Sequence, residues 1–353
     1  MINLYGLTLT KLEQLMVEEG QKSYRATQLF TWIYEKRATS FDEMSDISIK
    51  FREVLKEKYC LYVPEIHTKQ VSQDGTVKLL LNLKDNYKVE CVLMRYSYGC
   101  AACVSSQVGC NMGCSFCSSG ILGKQRNLTP DEMVGQILVL NKLLKEENKG
   151  QHITHVVVMG TGEPFDNYDN VLDFIRIINH PKGLAIGARH ITVSTCGIVE
   201  NIYKYADEHL QSNLAISLHA PNNELRNALM KVNRAYPLEK VMEAVKYYEK
   251  ETKRRVTYEY LLLEGINDTK EHAQELIKLI KGTMGYVNLI PYNETNKDDK
   301  FHRSSGNRVH AFLDYLMKGG VTATIRKEFG SDIDAACGQL KAKVEEAGVW
   351  KNT

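Results

Sequence analysis

The chain has nine cysteines in 353 residues, and four of them fall in one stretch, Cys103 to Cys117 (CVSSQVGCNMGCSFC). Cys110, Cys114 and Cys117 stand at spacing C-x3-C-x2-C. Three thiolates on one short loop can each take one iron of a [4Fe–4S] cube, because Cys sulfur ligates such clusters. No fourth ligand stands nearby, which leaves one iron open to chelate a small molecule through amino and carboxylate groups. Gly113 lets the loop turn tightly around the cluster. Zinc is the competing reading. A structural zinc wants four ligands, typically as two pairs, and the other cysteines are scattered singly. Inert buried thiols explain three cysteines in eight residues poorly.

The elements that must position this loop begin near residue 101, where strand and helix alternate. Strand candidates are ACVSS, THVVVMG, HITVST, NLAISLH, VTYEYLLL and YVNLIP, with helical stretches between them. Thr129-Pro130-Asp131-Glu132 supplies an N-cap, a Pro at the first helical position and a capping-box Glu. Alternation of this kind implies a parallel sheet with right-handed crossovers. About six units make a partial (β/α)6 barrel, not the full eight-unit one, with function at the C-terminal ends of the strands. Gly160-Thr161-Gly162-Glu163-Pro164 follows the second strand candidate. Its glycines would let backbone carbonyls approach a ligand ammonium, and Glu163 would complement that charge. Ser194 ends the third strand; Ser217, Leu218 and His219 end the fourth; Asn293 follows the sixth. Taken singly, each reads as a satisfied polar group at a barrel rim.

Residues 1–60 read as a small helical domain. Leu7, Leu9, Leu12, Leu15 and Met16 have helical spacing, and YRATQLFTWIYEKR mixes Tyr24, Phe30, Trp32 and Tyr34 with Arg25, Lys36 and Arg37. Such a mixture can stack on and grip RNA, or be the core of an amphipathic helix. Nine basic against nine acidic residues over this span do not break the tie. Residues 61–100 read as a linking β-hairpin, VKLLLNL and KVECVLMRY about the turn KDNY. Glu90 in its second run looks like a solvated charge. Residues 101–345 complete the α/β unit. The polar loop 296–308 offers Lys297, Lys300, Arg303 and Arg308 to phosphates, or simply to solvent.

Composition excludes several classes. Hydrophobic content of 43% and charged content of 25% suit a globular chain. No apolar run reaches membrane-spanning length and no signal pattern opens the chain. An odd number of dispersed cysteines is not a secreted disulfide framework. A cytoplasmic protein without membrane attachment is expected. The net charge of +2 neither requires nor excludes nucleic acid.

The cysteine motif resembles that of the radical S-adenosylmethionine (SAM) enzymes. Together with MGTGEPFDNYDNV, ITVSTCGI, LAISLHAPN, VNLIPYN and RKEFGSDIDAACGQL it resembles the RlmN/Cfr family of adenosine methyltransferases over nearly the whole chain. Thr161 departs from a Met common there. The resemblance implies a [4Fe–4S] cluster on Cys110, Cys114 and Cys117, and SAM held by Gly162, Glu163, Ser194, Ser217, Leu218, His219 and Asn293. It implies that Cys337 is methylated by one SAM and that a second SAM yields a 5′-deoxyadenosyl radical. That radical removes hydrogen from the S-methyl group, and the methylene radical adds to the adenine. Cys103 then takes the ring proton and resolves the adduct as a disulfide with Cys337. Glu90 handles a proton at the base. A radical route suits an amidine carbon, which has no nucleophilic pair for ordinary methyl transfer.

GEPFDNYDNV, SLHAPNNELRNALM and VNLIPYN look closer to the C2 branch, which acts on 23S rRNA and tRNA, than to the C8 branch that gives antibiotic resistance. An unstacked adenine is the required substrate form. A flavodoxin or ferredoxin would donate electrons, and a monomer is expected. A non-catalytic RNA-binding iron–sulfur protein is the alternative of another class. Sulfur insertion with a second cluster would need auxiliary clustered cysteines, which are absent from the sequence. Cys60, Cys91, Cys100 and Cys196 read as small buried hydrophobes.

Overall fold

The computed structural model describes residues 1–120, 123–147, 150–294, 300–333 and 335. At its start, β1 (Ile2–Asn3) pairs parallel with β2 (Tyr59–Cys60), bringing the ends of the first sixty residues together. Between them lie α1 (Leu9–Glu18), α2 (Tyr24–Phe30) continuing into a π-turn at Thr31–Glu35, and α3 (Ile49–Lys58). Thr8 caps α1 through the Lys11 amide, and Ser48 caps α3 through the Phe51 amide. The apolar spacing works as helical spacing should: Leu12 and Met16 are buried. The aromatics divide. Phe30 and Tyr34 are core, with rings 4.7 Å apart, and Tyr34 donates to the Tyr5 carbonyl at 2.7 Å. Tyr24 is exposed, and the Lys36 ammonium lies 3.5 Å over the half-buried Trp32 ring. This region docks on the rest of the chain through a Lys11–Asp173 ion pair and a 2.8 Å bond from Asn3 Nδ2 to Asp131.

A ten-stranded sheet organises the remainder. β3 (Glu65–Val71), β4 (Val77–Asn82) and β5 (Lys88–Tyr96) form an antiparallel meander, and β6 (Gly99–Cys103) runs antiparallel to β5. The sequence suggested a hairpin only. β3 went unread because its seven residues, EIHTKQV, are all exposed on an outer strand and carry no alternation. Short strands β7 (Gln107–Val108) and β8 (Arg126–Asn127) pair antiparallel and bracket the cysteine loop.

Then helix and strand alternate: α4 (Pro130–Glu146), β9 (Ile153–Val158), α5 (Tyr168–Asn179), β10 (Ile191–Thr195), α6 (Val199–Asp207), β11 (Asn213–Ser217). α7 (Asn223–Leu229) and α8 (Leu238–Thr252) precede β12 (Thr257–Leu262), followed by α9 (Lys270–Ile280), β13 (Tyr286–Pro291), α10 (Gly306–Lys318) and β14 (Ala323–Ile325). Thr129 and Glu132 form the capping box of α4 with Pro130 at its first position. Strands β6 and β9 to β14 are parallel neighbours in chain order, so the sheet winds in one direction as a partial barrel. Six of these are the strands read from the sequence, and the short β14 adds a seventh. The first ends at Cys103, leaving Val104–Ser106 as a loop. One buried apolar cluster runs from Leu4 to Ala323 and joins the helices to the outer sheet face. No helix among the described residues is long and apolar enough to cross a membrane.

Candidate active site

The cysteine loop leaves the sheet after β6 and is pinned at both ends. The β7–β8 ladder closes its base, and the Ser115 amide donates 2.9 Å to the Leu229 carbonyl at the end of α7. Gly113 has φ +62°, and a Cβ there would lie 3.1 Å from the Lys231 side chain. Both facts explain a glycine. Cys110, Cys114 and Cys117 all line one cavity of about 160 Å³. Burial pushes the Cys110 thiol up to about 12 and the Cys114 thiol well up, so thiolates here need a cationic partner. No three His, Cys, Asp or Glu side chains among the described residues converge to hold a single metal ion. A cube asks each thiolate to meet a different iron and needs no such convergence. The donor set therefore fits the cluster.

The opposite wall comes from the strand ends. Gly162, Glu163, Ser194, Ser217 and His219 face the same cavity. Ser194 and Ser217 have their hydroxyls 3.3 Å apart on neighbouring strands. Glu163 is buried, and burial raises its carboxyl above the usual range. Its oxygens accept the Phe165 amide at 2.9 Å and the Cys196 amide at 2.8 Å. The glycines of this turn have a different first duty from the one expected. A Cβ on Gly160 would lie 2.7 Å from Ser105, and one on Gly162 would lie 2.7 Å from Gln107. They let the end of β9 pack against the chain leaving β6. His219 has φ +56° and accepts the Leu261 amide through Nδ1 at 3.0 Å. Burial, helped by Arg226, lowers its pKa to about 3. The imidazole is neutral and carries its proton on Nε2. Leu218 is fully buried behind the wall, its amide donating to the Glu259 carbonyl.

Asn293 and Cys103 line a second cavity of about 40 Å³ with Val92, Met94, Phe329 and Ala335. The sequence grouped Asn293 with the first wall. The structure places it next door, where it accepts from Arg303 at 3.4 Å. Met159, Ile290 and Arg326 line both cavities. Glu90 is not a solvated charge: it is 3% exposed and lies 3.6 Å from Lys78. Strand alternation puts it on the same face of β5 as Val92, which pairs with Cys103 across the strands. Cys337 and Lys297 lie outside the described residues. Of the proposed phosphate contacts, Arg303 pairs with Glu328 at 2.5 Å and Arg308 with Asp268 at 3.2 Å.

Four contributors went unread in the sequence. Cys196 reads in the sequence as a small buried hydrophobe, yet it lines the first cavity, and both its N–H and its C=O are held by buried side chains. Arg226 is fully buried. Glu259 and Arg326 face each other at 3.8 Å, and Asn288 donates to Glu259 at 2.9 Å. Their only sequence signal is position: Glu259 falls inside the apolar run VTYEYLLL and Arg226 one turn into a helix after a strand end.

A partial parallel barrel with a three-cysteine loop after its first strand is the arrangement of the radical SAM enzymes. Residues 104–280 match the Radical SAM superfamily, and residues 2–61 match the ribosomal RNA large subunit methyltransferase N-terminal domain. The chain is 52% identical over 342 residues to a "probable dual-specificity RNA methyltransferase RlmN" of Streptococcus thermophilus, covering 96% of this chain and 88% of that one. A protein of the same description from Shouchella clausii is 49% identical over 352 residues, covering 99% of both. The solved structure of a radical SAM methyltransferase from Sphaerobacter thermophilus superposes with a TM-score of 0.91 at 42% identity, over 97% of this chain and 100% of that one. The chain belongs to the RlmN family of radical SAM RNA methyltransferases.

Proposed function

We propose that this enzyme methylates C2 of an adenosine in 23S rRNA, and of an adenosine in tRNA, using two SAM molecules per product. The observation that carries this reading is the shared wall between the two cavities. The one lined by Cys110, Cys114 and Cys117 adjoins the one lined by Cys103 and by Ala335, two positions before Cys337 in sequence. A SAM-cleaving site and a methyl-transferring cysteine pair need that adjacency, because a primary radical must reach its hydrogen donor directly.

A [4Fe–4S] cluster with SAM would supply one-electron cleavage of a sulfonium. In this reading the chain's own groups do the rest. Cys110, Cys114 and Cys117 would each hold one iron of the cluster. Gly162, Glu163, Ser194, Ser217, Leu218 and His219 hold SAM, with neutral His219 as an Nε2–H donor, and Asn293 completes the set from the neighbouring cavity. The Cys337 thiolate attacks the SAM methyl, which requires it deprotonated. Cys103 takes the ring proton and then, as a thiolate, attacks the Cys337 sulfur. The S–CH2 bond to the adenine breaks, and the freed carbon gains a proton to become the methyl group. The unpaired electron leaves to the one-electron centre that the cluster would supply, and the resulting disulfide must be reduced before the next cycle. Glu90, buried beside Lys78, moves a proton at the adenine. The half-buried Trp32 with Lys36 and the exposed Tyr24 on the N-terminal region would meet RNA. A cytoplasmic monomer served by a flavodoxin or ferredoxin completes the reading.

The test is mass spectrometry of nucleosides from unmodified, protein-free large-subunit rRNA. It is incubated anaerobically with reconstituted enzyme, SAM and reductant, with Cys337→Ala as control. 2-Methyladenosine that disappears in the variant is expected. 8-Methyladenosine would move the enzyme to the C8 branch. SAM cleavage without any methylated adenosine would overturn the proposal.

A further inference from the structure

Arg226 on α7 is 0% exposed, the largest side chain so enclosed among the described residues. Its guanidinium donates to the Leu218 carbonyl (3.2 Å), Asn233 Oδ1 (2.8 Å), the Tyr236 carbonyl (3.3 Å), the Cys196 carbonyl (2.6 Å) and the Ser217 carbonyl (3.3 Å). All five acceptors are neutral. Among the described residues no carboxylate forms an ion pair with it. Glu163 is linked to it through Cys196, whose N–H it accepts while Arg226 donates to the carbonyl of the same residue. A buried cation served by neutral dipoles alone is costly, and proteins keep such charges where an opposite charge completes the site.

The position of α7 says which charge that is. One helical turn beyond Arg226, the Leu229 carbonyl takes both the amide (2.9 Å) and the hydroxyl (3.2 Å) of Ser115, the residue after Cys114. Met112, Cys114 and Phe116 pack against the cluster of Cys196, Leu229 and Met230. Arg226 thus sits on the helix that anchors the cysteine loop, one turn before that anchor.

We propose that Arg226 is the buried counter-ion of the iron–sulfur cluster, favouring its retention and its one-electron reduction. This rests on the reading that Cys110, Cys114 and Cys117 hold a [4Fe–4S] cube. An oxidised 2+ cube with three thiolates carries a single net negative charge. One electron from an external donor, itself oxidised, makes that charge double. A fixed cation stabilises the second state more than the first, and net charge around a cluster is one of the levers that set its potential. A purely structural Arg226 would instead only tie the ends of β10 and β11 together through Cys196, Ser217 and Leu218.

The experiment is an EPR-monitored redox titration of the reconstituted full chain without SAM, dithionite being the reductant, with iron and sulfide counted in every sample. Arg226→Gln removes the charge and keeps an amide. Arg226→Lys keeps the charge and loses most of the donors. The expected result is a midpoint about 59 mV or more lower in Arg226→Gln, a roughly tenfold weaker preference for the reduced state. Arg226→Lys should stay within about threefold of wild type on the same scale. An unchanged midpoint in a folded, cluster-loaded Arg226→Gln overturns the proposal and leaves the cluster reading standing. A wild-type chain that takes up no cube overturns both. Should Arg226→Gln fail to fold, Arg226→Lys decides alone: a roughly tenfold fall there, with the cube intact, overturns the proposal.

Discussion

Glu163 and Arg226 hold Cys196 from both sides, one on the peptide that enters the residue and the other on the peptide that leaves it. Glu163 Oε2 accepts the Cys196 amide at 2.8 Å, and Arg226 Nη2 donates to the Cys196 carbonyl at 2.6 Å. Cys196 follows the end of β10 and precedes Gly197, whose φ is +104°. A buried carboxyl group and a buried guanidinium therefore fix the orientation of the turn that carries Cys196 into the first cavity. Since the other Glu163 oxygen holds the Phe165 amide at 2.9 Å, the same carboxyl group also sets the start of the helical turn Pro164–Asn167.

Glu163→Gln tests this double role. A glutamine offers one acceptor oxygen, and its NH2 must face one of the two backbone amides. One buried donor is then left unsatisfied, at a cost of about 1–3 kcal/mol. Thermal denaturation should show that loss. SAM binding, followed by equilibrium dialysis on cluster-loaded protein, should weaken about tenfold or more. Unaltered binding would remove Glu163 from the ligand site.

His219 makes stability depend on pH in a defined direction. Its folded pKa of about 3 lies below the ordinary value of 6.5, so below 6.5 the unfolded chain binds a proton that the folded chain refuses. Stability is lost as pH falls from 6.5 toward 3. At pH 5 the loss from this residue is about 2 kcal/mol relative to pH 7.5. His219→Asn, which tolerates the left-handed backbone at this position, should shrink the pH 7.5-to-5 difference in urea-unfolding free energy by that amount. An undiminished difference would mean that His219 is not held neutral.

The cysteine loop and the strand-end residues were legible because their signals are local. A C-x3-C-x2-C spacing or a GTGEP turn is complete within a few residues of chain, and the parallel sheet repeats one short pattern. What stayed hidden depends on burial from elsewhere. Arg226 lies in a polar helix, NELRNAL, and is enclosed only when the ends of β10 and β11 and the residues after α7 close around it. Glu90 read as exposed because the pairing of β5 with β6, which puts β5 in the interior of the sheet between β4 and β6, could not be seen. Asn293 was grouped by order along the chain, while its cavity is set by Cys103 and the segment after β14.

Gly162→Ala asks how closely β9 must approach the chain leaving β6. The added methyl would lie 2.7 Å from the Gln107 side chain and 2.8 Å from its backbone nitrogen, at φ +113°. Both the contact and the backbone conformation oppose it. A loss of about 2 kcal/mol or more is expected by denaturation, in the range of overpacked sites. Gln107 also donates to Asp166 at 2.8 Å and accepts the Glu163 amide at 2.9 Å, so SAM binding should fall with stability. A variant as stable as wild type would show that this junction is looser than the packing indicates.

Arg326 and Glu259 couple the wall shared by the two cavities to the barrel interior. Burial raises the Glu259 carboxyl above its ordinary value, and Arg326 at 3.8 Å opposes that rise. Arg326→Met removes the cation and should raise the folded-state pKa further. A carboxyl whose folded pKa exceeds its unfolded value binds its proton more tightly when folded. The variant should therefore lose stability as pH rises above about 4.5, and lose little below it. Its deficit against wild type should be larger at pH 8 than at pH 5. Measured against Glu259→Gln, the deficit of Glu259→Gln/Arg326→Met should be flat across that range, because no carboxylate remains at this position to charge. The difference between the single variants and the pair isolates their coupling. A deficit in Arg326→Met that is the same at both pH values would mean that Arg326 serves the cavity wall by its bulk and not by its charge.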